Sequence, residues 1–203
     1  MNGLFISFEG GEGSGKSTAI TKVAAKLENA GYKVAITREP GGVKVSEDIR
    51  AVILDIDNKM APETEALLYA ASRVEHLKAK VIPLINEGYI VLSDRYLDSS
   101  LAYQGCARGL GIENVLKINM YALEYMPKVT YFFDVTPEVG LKRLKGRNKI
   151  DRLDLEALSF HEAVYVGYKK ICSMFPERIK VIDGTKQVEE IVDEIYHHIL
   201  NIL

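Results

Sequence analysis

The feature that most constrains this chain lies near its start. A short apolar run, Leu4 to Phe8, passes directly into Gly10-Gly11-Glu12-Gly13-Ser14-Gly15-Lys16-Ser17-Thr18, which fits GxxxxGK[S/T], and a helical pattern begins near Lys16. Glycines let the backbone wrap closely around a polyphosphate, and successive N–H groups and the helix N-terminus point at the anion. Lys16 is then placed to reach the β- and γ-phosphates, and Ser17 to ligate magnesium. Switch GTPases, motor ATPases and small-molecule kinases all carry such a loop, so it specifies a nucleotide and leaves the reaction open.

Five apolar runs rich in β-branched or aromatic residues recur along the chain: Leu4 to Phe8, Lys33 to Thr37, Tyr89 to Ser93, Val129 to Val135 and Ile179 to Asp183. They read as buried strands. Between them, apolar residues fall at helical spacing over Ala19 to Ala30, Glu63 to Asn86, Val115 to Tyr125, Glu156 to Met174 and Val188 to Leu203. Alternation of strand and helix predicts an α/β fold, a five-stranded parallel sheet flanked by helices, with ligands outside the carboxyl ends of the strands. No repeat, linker or low-complexity stretch interrupts 203 residues, so one domain, 1–203, is expected.

A formal charge of -2 provides no global field for a polyanion, so nucleic acid is not expected as a partner and phosphate must be met by local basic clusters. Cys106 and Cys172 stand far apart without a CxxC pair, which suggests neither a disulfide framework nor a zinc site. The chain enters its first strand without a basic leader, and no apolar run approaches bilayer length. A cytoplasmic protein without membrane association is expected.

The third strand ends in Asp94-Arg95-Tyr96, which brings a carboxylate and a guanidinium to the sheet edge where the glycine-rich loop lies. Asp94 can hold magnesium beside Ser17, and Arg95 can grip a phosphate bidentately. Asn148 to Asp151 spell NKID, the guanine-reading pattern of GTPases. There the tetrapeptide closes a hydrophobic strand, whereas here it follows the basic helical stretch Leu141 to Arg147, and no DxxG follows a strand, so a switch protein is disfavoured.

GGEGSGKST, TREPGG, LLYAASR, DRYLDSSLAYQG and DVTPEVGLKR, in this order and spacing, resemble the bacterial thymidylate kinase family over nearly the whole chain. The resemblance implies a nucleoside monophosphate kinase-like P-loop fold, ATP on Gly10 to Thr18, dTMP as acceptor, Mg2+ as cofactor and a homodimer formed through helices. Lys16, Arg95 and Arg147 are the implied catalytic residues, and Ser17 and Asp94 the implied metal ligands. On the acceptor side, Arg95 and Arg38 look like clamps on the 5′-phosphate. Tyr69, where the family more often has Phe, looks like the ring on which thymine stacks. Arg73 and Gln104 resemble the groups that read the base edge, Tyr103 the one that crowds the ribose 2′ position, and Glu12 the acceptor for the 3′-hydroxyl. Ser100 and Arg50 complete that pocket.

Lys142, Arg143, Lys145, Arg147, Lys149 and Arg152 crowd one segment of a slightly acidic chain. A lid over about 142–153 that closes on the donor can supply cationic charge while excluding water. Gly13 occupies a position where some thymidylate kinases carry arginine, so the resemblance is to the class with its catalytic arginine in the lid. The resemblance implies Arg147 as that residue, with Arg143 expected against the adenine. Another nucleotide or deoxynucleoside kinase is the nearest rival. A regulatory GTP-binding module is the rival from another class.

Overall fold

The structure of the chain, a computed structural model, describes residues 3–144, 152–153 and 155–203. Its strands are β1 (Leu4–Glu9), β2 (Val34–Arg38), β3 (Ile90–Asp94), β4 (Val129–Asp134) and β5 (Ile179–Asp183), each within a residue or so of the expected run. They form one all-parallel sheet in the order β2-β3-β1-β4-β5. The chain leaves β1 through helix α1 (Lys16–Asn29), lands on β2 at the edge and returns to β3 beside β1; β4 then starts the opposite half. The carboxyl end of β1 is therefore the switch point, where the order reverses and a crevice opens.

Each face of the sheet carries a core. Ile6 and Phe8 of β1 pack with Val23 and Leu27 of α1 and with Ile195 and Ile199 of α9 (Val188–Ile202). Phe5, of opposite parity, packs on the other face with Leu77, Val81, Leu101 and with Tyr168 and Ile171 of α8 (Leu158–Met174). Side chains that alternate across a doubly covered strand produce this division, and it accounts for the nearly continuous apolar runs.

The long helical pattern from Glu63 is observed as α3 (Pro62–His76), a wide π turn over Leu77–Val81, and α4 (Ile82–Asn86). Pro83 has no N–H for the preceding turn and its ring crowds the carbonyl four residues back, so the helix widens there without ending. The pattern from Val115 divides into α6 (Ile112–Ile118) and a 3-10 stretch, Met120–Tyr125, around the buried Asn119. Three elements were not expected: α2 (Lys44–Leu54), the short α5 (Leu97–Ser100) with its π continuation Leu101–Ala107, and the full extent of α7 (Pro137–Leu144). Only Ser46 and Ile53 of α2 are buried, which leaves no clean apolar stripe to read.

Candidate functional site

The loop after β1 depends on three glycines with positive φ, Gly10, Gly13 and Gly15, at 144°, 68° and 96°. Lys16 folds back over it: Nζ donates to Gly10 O at 3.0 Å, Gly11 O at 2.9 Å and Ser14 Oγ at 3.2 Å. Burial lowers the pKa of its ammonium, helped by the charge of Arg95, while Asp94, Glu12 and Glu9 oppose the shift. Ser17 Oγ donates to Asp94 Oδ2 at 2.7 Å, so the two expected metal ligands meet. A hydroxyl and one carboxylate suit an ion whose other ligands are phosphate oxygens and water, the usual circumstance of Mg2+. Among the described residues no group of three or more His, Cys, Asp or Glu is arranged to hold a metal by itself.

β3 delivers Arg95 in a conformation unusual for a side chain with a Cβ. Its φ is 71°, and it is the one non-glycine with positive φ among the described residues. Such backbone costs about 1–3 kcal/mol and persists where surrounding contacts fix it. Here Arg95 N donates to Phe8 O at 2.9 Å and Ser93 Oγ donates to Arg95 O at 2.8 Å. The guanidinium is thereby turned back over the loop, where Nη1 donates to Gly10 O at 3.0 Å and Nη2 pairs with Glu12.

A cleft of about 1110 Å3 is lined by Gly13 to Thr18 and by Arg38, Arg50, Tyr69, Arg73, Arg95, Ser100, Tyr103 and Gln104. Every described acceptor-side residue expected from the sequence, Glu12 included, lies in that one space. Tyr103 and Gln104 project from the π continuation of α5, a widened turn packed on α8 where Gly167 leaves room for Cys106. Burial raises the phenols of Tyr69 and Tyr103 well above the usual range, so both remain neutral. Arg95 lies 5.2 Å over the Tyr103 ring, and Tyr103 Oη is 3.4 Å from Glu12 Oε1. Glu12 thus lies against Arg95 and Tyr103.

Several of these side chains already have partners. Buried Arg73 donates through Nε to Glu39 at 2.7 Å, through Nη1 to Asn119 at 2.5 Å, and through Nη2 to Tyr96 O and Ser100 Oγ, both at 3.1 Å. These bonds occupy four of its five N–H donors. Gln104 Nε2 donates to Glu65 Oε1 at 2.8 Å. Burial alone would raise the pKa of Glu65, but hydrogen bonds from Gln104 and Arg152 and the charge of Arg108 hold it below the usual carboxylate value. Arg38 donates from Nη2 to both Glu47 oxygens at 2.8 Å at an exposed position, and Arg50 Nη1 reaches Pro40 O at 2.9 Å.

Of the basic segment, Arg143 on α7 lines the cleft and reaches Gly184 O at 3.2 Å from Nη2. Arg152 is docked elsewhere: it donates to Glu65 Oε2 at 2.5 Å and to Ile53 O at 2.9 Å. Arg147, Lys145, Lys149 and the NKID tetrapeptide lie outside the described residues. Sequence reasoning passed over Glu9, Glu39 and Glu65, which are buried at 0%, 4% and 1% exposure and bind the arginines and hydroxyls of the site. Glu9 ends an apolar strand, where a carboxylate has no place in a core without partners. That was the available signal.

A phosphate-binding loop at the switch point of a 2-3-1-4-5 parallel sheet, faced across one cleft by arginines and tyrosines, places the chain in the class of P-loop nucleoside monophosphate kinases. A family model described as thymidylate kinase matches residues 8–195. The chain belongs to the thymidylate kinase family. It is similar to the thymidylate kinase of Geobacillus thermodenitrificans, 49% identical over 205 residues that cover 99% of this chain and 91% of that one. With that of Oceanobacillus iheyensis it shares 53% identity, covering 94% and 87%, and with that of Clostridium novyi 50%, covering 95% and 96%. Among the described residues no helix is long and apolar enough to cross a membrane.

Proposed function

We propose that the chain transfers the γ-phosphoryl group of ATP to dTMP, giving ADP and dTDP on the way to dTTP. The observation that carries this reading is the cleft itself: Lys16 and Arg95 line one space of about 1110 Å3 and both donate to Gly10 O, each at 3.0 Å, so two cations meet at one point of the loop. An in-line transfer needs donor and acceptor phosphates held in that relation, and positioning with charge stabilisation accounts for most of the catalysis.

Loop amides and the α1 N-terminus take the triphosphate, and Lys16 exchanges the Gly10 and Gly11 carbonyls for β- and γ-phosphate oxygens. Ser17 and Asp94 would hold Mg2+, which would supply neutralising charge. Arg95 binds the acceptor phosphate by exchanging Glu12 for it, and Arg38 joins by leaving Glu47. Glu12, released, accepts the 3′-hydroxyl. Tyr69 stacks on thymine, the fifth donor of Arg73 and the remaining amide groups of Gln104 read its edge, and Tyr103 crowds the ribose 2′ position. Ser100 holds Arg73, and Arg50 closes the pocket beside Pro40. The acceptor phosphate oxygen is already nucleophilic, so no general base is assigned.

The segment 142–153 serves as a lid that brings Arg147 to the transferring group and Arg143 towards adenine. The chain is read as one domain, 1–203, acting as a cytoplasmic homodimer without nucleic acid or membrane. Leu67 on α3, at 57% exposure, supports an apolar contact along that helix.

The test is ADP release with ATP, Mg2+ and a panel of dTMP, dUMP, dCMP, dGMP, UMP and thymidine. Selective turnover of dTMP is expected. Turnover only of thymidine or of another monophosphate would discard the base pocket, and a strong preference for GTP without any acceptor would replace the kinase reading.

A further inference from the structure

Glu9 is the last residue of β1, fully buried, and belongs to none of the groups assigned above. Its Oε1 accepts Tyr96 N at 2.7 Å, fixing the residue that follows the left-handed Arg95. Its Oε2 accepts Ser99 Oγ at 2.5 Å and Tyr168 Oη at 2.8 Å. Those same two hydroxyls each receive Arg95 Nη1, at 3.2 Å. Ser99 comes from α5 and Tyr168 from α8, so three elements converge on the guanidinium through one carboxylate.

Ser99 Oγ and Tyr168 Oη also lie 2.9 Å apart, each able to donate to the other, and an ionised Glu9 draws both protons towards itself. A hydroxyl has one proton, and an ionised carboxylate only accepts. With both protons given to Glu9, the lone pairs of Ser99 and Tyr168 are left to face Arg95. An amide NH2 at Oε2 would replace the acceptor of both protons by a donor and turn a hydroxyl proton towards the cation. Burial, followed by the nearby charge of Asp98, pushes the Glu9 carboxyl up to about 7, so retaining a carboxylate here is costly to the fold, and the cost falls where Arg95 is oriented.

We propose that Glu9 is a positioning residue for the acceptor phosphate, aiming the Arg95 guanidinium through the hydroxyls of Ser99 and Tyr168 and fixing its backbone through Tyr96. The inference rests on the reading of Arg95 as the clamp on dTMP. Charge-assisted hydrogen bonds are the strong members of such a network.

Glu9→Gln keeps the shape, retains an acceptor for Tyr96 and inverts the polarity at Ser99 and Tyr168. At pH 8, it should raise the dTMP KM about tenfold, the effect of weakening one hydrogen bond to a charged group. The ATP KM should stay within about twofold, and Tm should not fall. Tyr168→Phe, which removes one link, should raise the dTMP KM in the same direction by less, and it carries the test should Glu9→Gln not fold. An unchanged dTMP KM in both variants, or dTMP and ATP KM rising together with a lowered Tm, would overturn the proposal. A wild-type chain inactive on dTMP overturns the functional reading, and this inference with it; an active wild type whose variants keep their dTMP KM overturns the inference alone.

Discussion

Ser17 Oγ donates to Asp94 Oδ2 across 2.7 Å, joining the first turn of α1 to the end of β3. One hydrogen bond thus closes the two central crossovers of the sheet over the position where a divalent ion would meet the donor phosphates.

Asp94→Asn retains the bond to Ser17 but removes the charge. The Mg2+ concentration for half-maximal rate should rise on the order of 10–100-fold, with the dTMP KM little changed. A magnesium titration at saturating ATP reads this directly, and an unaltered requirement would remove Asp94 from the metal site.

Arg95 combines a clamp with a strained backbone, and the two can be separated. Arg95→Ala and Arg95→Gly should both cut kcat/KM for dTMP far more than they raise the ATP KM, by about 10–100-fold if charged hydrogen bonds to the phosphate are lost. Glycine accepts a φ of 71° without penalty, so the Gly variant should be more stable than the Ala variant by about 1 kcal/mol. Denaturant unfolding of the pair measures that difference, in which the loss of the side chain cancels.

Gly13 and Gly140 bring the phosphate loop and α7 into backbone contact. A Cβ on Gly13 would lie 2.1 Å from Gly140 O, and one on Gly140 would lie 2.2 Å from Glu12 O. Either alanine must push α7 away from the loop. Each should cost about 1–3 kcal/mol and raise the ATP KM. The same contact leaves no room for an arginine at position 13, so Gly13→Arg should not restore activity to an Arg147→Ala enzyme. Stability curves and ATP titrations of the two alanine variants check the first statement, and the double substitution checks the second.

Glu9 sets a pH dependence of stability. Its carboxyl is raised from 4.5 to about 7 in the folded chain by burial and Asp98, against Arg95, Ser99 and Tyr168. Between those values the folded state holds a proton that the unfolded state has released. Stability from this group is therefore fully present below about 4.5 and lost as pH rises through about 7. The difference in unfolding free energy, wild type minus Glu9→Gln, should fall by roughly 3 kcal/mol from pH 4.5 to 8. A difference flat with pH would contradict the raised carboxyl.

The five strands and the phosphate loop were legible because they depend on local signals: β-branched runs, glycine spacing, and an Asp-Arg pair at a strand end. That Tyr69, Arg73, Tyr103 and Gln104 would share one cleft was expected from the resemblance, not from periodicity, since on a helix each reads as ordinary packing. What the sequence concealed was pairing. Arg73 and Gln104 are joined to Glu39 and Glu65, which lie 34 and 39 residues away, and Glu9 reaches Tyr168 across 159 residues. Such buried carboxylates are set by tertiary contact and leave no local pattern. The π turn carrying Tyr103 was equally hidden, because its widening comes from packing against α8.

Transfer from ATP to dTMP rather than to water can be followed by phosphorus NMR of the enzyme with ATP, Mg2+ and dTMP. The γ-phosphate signal of ATP should decline in step with the dTMP signal while the two phosphorus signals of dTDP grow. Loss of the γ-phosphate as inorganic phosphate, with dTMP untouched, would contradict it.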